Sequence, residues 1–173
     1  MESPAARTRS VLIYGLLALG IIARLVPHAW NATPLTAIAL FGGTYLPKRW
    51  AILLPLAVIA CSDIALGWHA TIPFTWGATA ATGLLAWWLR PHPSAGRVAA
   101  ASLAGSGFFF LVTNFGVWLT QDLYPRTAAG LWACYAAGVP FFRNGLWGDL
   151  AYTAVLFGLY TLATARRPIP VTR

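Results

Sequence analysis

The chain has 173 residues, of which 58% are hydrophobic, 14% aromatic and only 9% charged. That leaves too little polar surface to cover a water-soluble globule, so the composition excludes a soluble domain and points to an integral membrane protein of one domain spanning residues 1–173. The formal charge of +8 implies no nucleic-acid partner, because the basic residues sit in short breaks between apolar runs rather than on a soluble face with exposed aromatics.

Lipid satisfies no backbone group, so long apolar runs read as helices, and the fold class is all-α: a bundle of six transmembrane helices. The first runs from about Ser10 to Val26, behind Arg7 and Arg9. No small-x-small cleavage site precedes a polar mature start, so it reads as a helix and not a signal peptide. The second covers Pro34 to Leu46, with Thr33 as N-cap and Pro34 in the first position. Such a segment rises only roughly 20 Å against a hydrocarbon core of about 30 Å. It must borrow interfacial flanks or fail to cross. The third (Trp50 to Gly67), fourth (Ile72 to Leu89) and fifth (Val98 to Leu119) helices follow. Thr127 to Phe142 contains Gly130, Gly138 and Pro140 and is expected as an apolar helix on the outer face or a re-entrant segment. The sixth helix then runs from Phe142 to Ala165.

Under this count Arg7, Arg9, Lys48, Arg49, Arg90, Arg97, Arg166, Arg167 and Arg173 share one side. The positive-inside rule makes that side the cytoplasm, with both termini there. Trp50, Trp87 and Trp88 read as an inner aromatic belt.

The polar residues inside the apolar segments cluster on the other side. Arg143, with Asn144 beside it, opens the last helix, and Asp149 follows six residues later. Arg24, Asp63 and Asn114 lie near the outer ends of the first, third and fifth helices, and the outer loops add His28, Asn31, Trp68 and His69. The inner halves carry no Asp, Glu, Lys, Arg or His. A coupled carrier needs such groups near the midplane and a channel needs a polar path across, and neither is visible. An outward polar pocket sealed below suits a binder of a small extracellular molecule. The bland alternative makes Arg24 with Asp63, and Arg143 with Asp149, structural ion pairs that snorkel to the interface. A small assembly or scaffold protein is a further alternative.

An intramembrane aspartyl enzyme would pair Asp63 with Asp149. The Gly-x-Gly-Asp pattern expected there is absent, because Gly145, Leu146, Trp147 and Gly148 precede Asp149, so no enzyme is expected. Cys61 and Cys134 read as small apolar residues with no disulfide and no metal site, and no cofactor is implied.

Four stretches resemble an uncharacterised bacterial family of transporter-like membrane proteins: Arg24 to Leu46 (RLVPHAWNATPLTAIALFGGTYL), Cys61 to His69 (CSDIALGWH), Leu111 to Leu119 (LVTNFGVWL) and Ala133 to Gly158. The Arg-x-x-Pro-His and Phe-Phe-Arg-Asn segments are the most specific. In size, helix number and topology that family looks like the substrate-binding S components of energy-coupling-factor vitamin transporters. The resemblance implies uptake of a vitamin or similar micronutrient across the bacterial inner membrane, bound from outside, with energy from a separate ATPase-driven module. It implies binding roles for Arg24, His28, Asn31, Asp63, Asn114, Arg143, Asn144 and Asp149. Trp68 and His69 join them from the outer loops, and Trp68 could stack on a flat ring. A corrinoid is one candidate ligand, with Cys61, His28 or His69 as an axial group. The first helix departs from the family pattern, since Gly15, Ala18, Gly20 and Ala23 give no Ala-x-x-x-Ala docking motif.

Overall fold

The structure, a computed structural model, describes residues 4–25 and 32–165. Those residues form six helices and no strand: α1 (Pro4–Leu25), α2 (Leu35–Tyr45), α3 (Trp50–Leu66), α4 (Ile72–Leu89), α5 (Ala95–Thr120) and α6 (Ala128–Ala165). Local signals set most boundaries. Gly67, at φ 98°, adopts a conformation costly for other residues and stops α3. The Ser94 hydroxyl accepts from the Arg97 backbone N–H and starts α5. Pro34, not Thr33, occupies the N-cap position of α2, without a side-chain cap.

The short α2 is the centre of the molecule. Its residues Leu35 to Thr44 are all buried, and it packs against each of the other five helices. Eleven residues rise about 16 Å, so α2 satisfies its surroundings through protein contacts rather than by length. Glycines admit its neighbours. A Cβ on Gly43 would lie 2.4 Å from the Ala86 Cβ, and one on Gly83 would lie 2.0 Å from the Ala51 carbonyl oxygen. These contacts draw α2, α3 and α4 into one seam.

Toward its C-terminal end α2 closes an aromatic knot with α6. The Phe41 ring centroid lies 4.9 Å from that of Tyr45, 5.3 Å from Phe157 and 5.6 Å from Tyr160, and Tyr45 stacks on Tyr160 at 4.2 Å. The Tyr160 hydroxyl is buried there without a hydrogen-bond partner. Tyr160→Phe keeps the ring and removes the unpaired group, so unfolding in detergent should be unchanged or shifted toward greater stability by about 1 kcal/mol. A clear loss of stability would show that the hydroxyl is bonded.

Beyond the knot the same end of the bundle carries a cationic aromatic belt. Arg90 donates to the Leu46 carbonyl and Arg97 to the Trp88 carbonyl. The Lys48 ammonium stands 5.7 Å over Trp87, and the Arg97 guanidinium 4.3 Å over Trp88. Each Trp thus holds a cation against its π face.

The expected break between the fifth and sixth helices is corrected by the structure. Residues 128–142 form neither a separate outer-face helix nor a re-entrant segment; they are the first turns of α6, one helix of 38 residues through Pro140. Proline removes one helical hydrogen bond, and here packing on α5 compensates. Tyr135 donates to the Leu111 carbonyl at 2.9 Å, Cys134 contacts the Asn114 carbonyl at 3.3 Å, and Phe142 stacks on Phe110 at 4.7 Å. By length and composition α5 and α6 are each able to cross a membrane.

Candidate functional site

A cavity of about 410 Å³ lies at the end of the bundle opposite the cationic belt. Five helices wall it: the N-terminal half of α2, the C-terminal half of α3 with the following loop, Thr75 to Thr82 of α4, Ser106 to Val117 of α5 and Gly138 to Asp149 of α6. It tops the buried α2, and fully buried Ile38, Leu40 and Phe41 continue that helix below.

Two carboxylates line it, both more than nine-tenths buried, with Asp63 at 6% exposure and Asp149 at 9%. Asp63 accepts a 2.7 Å bond from the Trp76 indole N–H. His69 Nε2 stands 4.0 Å from its other oxygen, and the opposite ring nitrogen of His69 bonds the Thr71 hydroxyl at 2.7 Å. With its side chain 39% exposed, His69 stands at the rim. Asp149 accepts from the Ser106 hydroxyl at 2.6 Å and from Thr36 at the start of α2. Asn114 reaches the cavity from α5 and donates its amide to the Phe110 carbonyl at 2.9 Å. The apolar wall includes Phe109, Phe110, Phe141 and Phe142.

Of the residues expected in the site, Asp63, His69, Asn114 and Asp149 line this cavity. Arg143, Asn144 and Trp68 are exposed and do not. The helical repeat explains the first two: Arg143 lies roughly 120° around α6 from Asp149, so burying Asp149 turns Arg143 outward. Trp68 is 75% exposed in the α3–α4 turn. His28 and Asn31 lie outside the described residues, as does the side chain of Arg24. The ion pair of Arg143 with Asp149 is therefore not formed, that of Arg24 with Asp63 falls on a side chain outside the described residues, and neither carboxylate meets a Lys or Arg among the described residues.

Sequence reasoning missed the hydroxyl residues. Thr75, Thr79 and Thr82 line the α4 wall at helical i, i+4, i+7 spacing, which was a legible signal for one face. Ser106 and Thr113 line the α5 wall. Among the described residues no three His, Cys, Asp or Glu side chains converge to hold a metal ion. The chemistry on offer is therefore carboxylate, imidazole, hydroxyl and amide beside aromatic rings.

The chain belongs to the family of unknown function DUF6580, whose profile matches residues 4–171. No curated protein and no solved structure matches it.

Proposed function

We propose that this member of the family is a multi-pass protein of the bacterial inner membrane that binds a small micronutrient from the outer side, as the substrate-binding subunit of an uptake system of the energy-coupling-factor type. The observation that carries the reading is the single-ended cavity, roomy enough for a vitamin-sized molecule and underlain by the buried α2. Among the described residues twenty-four large apolar side chains are exposed, an outer surface suited to lipid and not to water. The Lys/Arg and Trp belt at the opposite end matches a cytoplasmic interface. Since the helices below the cavity offer no charged path among the described residues, inward release requires a conformational change. An ATPase-driven partner would supply that energy.

The orientation is tested by cysteine labelling in a background with Cys61 and Cys134 replaced by Ala. A membrane-impermeant maleimide added outside should modify Trp68→Cys and spare Ser94→Cys. Labelling the other way round would put the cavity on the cytoplasmic side and end the uptake reading.

A further inference from the structure

The hydrogen-bond directions in the cavity wall carry information about what fits it. Thr79 donates its hydroxyl proton to the Thr75 carbonyl at 2.7 Å, Thr82 to Ala78 at 2.9 Å, and Thr113 to Phe109 at 2.8 Å. Thr75 does the same to Ile72 at 3.0 Å. A hydroxyl has one proton and two lone pairs, so each of these groups keeps only acceptor capacity for a ligand. Asn114 gives one of its two amide N–H groups to the Phe110 carbonyl, which leaves one N–H and the carbonyl oxygen. The Trp76 indole N–H is already held by Asp63. Ser106 and Thr36 both donate to Asp149, so neither has a proton left for a ligand.

The wall is thus rich in acceptors and poor in donors. Its two carboxylates are nine-tenths buried and face no Lys or Arg among the described residues; His69, 4.0 Å from Asp63 at the rim, is the one basic side chain among those lining the cavity. Buried carboxylates are costly without a cation or a full set of donors. We infer that the cavity takes a small planar organic cation bearing several N–H donors, such as an amidinium or a protonated amino-heterocycle. Its N–H groups bond Asp63, Asp149 and the threonine oxygens by charge-assisted bonds. Its flat face lies against Phe109, Phe110, Phe141 or Phe142, where a cation is attracted to the ring. This inference rests on the binding role proposed above and narrows its ligand class from vitamin-like molecules in general to cations.

Three molecules of one shape and different charge test it: benzamidine (cation), benzamide (neutral) and benzoate (anion). Each is titrated against the full chain in nanodiscs of zwitterionic lipid, read by tryptophan fluorescence and by the shift in unfolding temperature. Benzamidine should bind at least about tenfold more tightly than benzamide, with benzoate silent. Asp63→Asn and Asp149→Asn should each bring benzamidine down toward the benzamide level. The wild-type comparison needs no variant, so a substitution that fails to fold leaves the test intact. Mass spectrometry of molecules released from the purified protein is the second arm, and a released cation supports the inference even where the fragments bind too weakly to see. Benzamide or benzoate binding as well as benzamidine, or release of a neutral or anionic molecule, overturns the cation class while leaving the binding role standing. No fragment bound at millimolar concentration and nothing released from the protein overturns both.

Discussion

Phe41→Ala should lower the unfolding free energy by roughly 3 kcal/mol, the low end for truncating a core Phe. The side chain is fully buried and meets three aromatic partners, Tyr45, Phe157 and Tyr160. If the surrounding medium is lipid, little transfer free energy is lost, because acyl chains are as apolar as the core. What remains is lost dispersion contact and an unfilled void. Phe41→Leu, which refills part of that volume, should recover about half. Urea or thermal unfolding in one detergent, followed by circular dichroism, measures both. A Phe41→Ala protein as stable as wild type would mean that α1, α2 and α6 collapse onto the gap and that the knot does not organise the bundle.

Gly83→Leu should be comparably damaging, at about 3 kcal/mol or failure to assemble. At this position even a Cβ would meet the Ala51 carbonyl oxygen at 2.0 Å, and that atom is backbone with no rotamer to yield. Overpacking then forces α3 and α4 apart. Gly77→Ala on the same helix is the control: its Cβ would meet nothing within 4 Å, so better helix propensity should stabilise by up to about 1 kcal/mol. Opposite signs at two glycines of one helix, read as shifts in unfolding temperature, would locate the constraint at the α3–α4 seam. A neutral Gly83→Leu would show that the seam can open.

Most helix boundaries were legible because the sequence punctuates them. Lys48 and Arg49 interrupt the apolar run before α3, and α3 and α4 begin at the residues expected, Trp50 and Ile72, whereas α5 begins at Ala95, ahead of the expected Val98, because the Ser94 cap went unread. Pro140 misled for a physical reason. Read locally, a proline near two glycines breaks a helix. In the fold, contacts from Cys134, Tyr135 and Phe142 to α5 carry α6 through it. The short second segment was flagged by its length, but its total burial depends on five neighbours that no local window contains.

The site was legible to the extent that it depends on depth along the helices, and obscure where it depends on rotation about them. Asp63, Asn114 and Asp149 were placed at one level, and all three line the cavity. Arg143 shares their end of the bundle yet faces outward, because level says nothing about helix phase. The uniform weakness of helical amphipathicity in a chain apolar on every side removes the usual cue for phase. The threonines were overlooked because a hydroxyl bonded to its own helix looks like ordinary helix content, although its remaining lone pairs define what the cavity accepts.

The knot between Phe41, Tyr45, Phe157 and Tyr160 also dictates an order of events during synthesis. Phe41 and Tyr45 leave the ribosome with the second helix, and their partners arrive only with the last. Until then α2 lacks its four ring contacts to Phe157 and Tyr160, so the bundle cannot close helix by helix as it emerges. Long-range closure of this kind slows folding and leaves the nascent chain exposed to mispairing. A chain truncated before α6 should therefore fail to mature as a whole, rather than persist as a five-helix remnant with an intact centre.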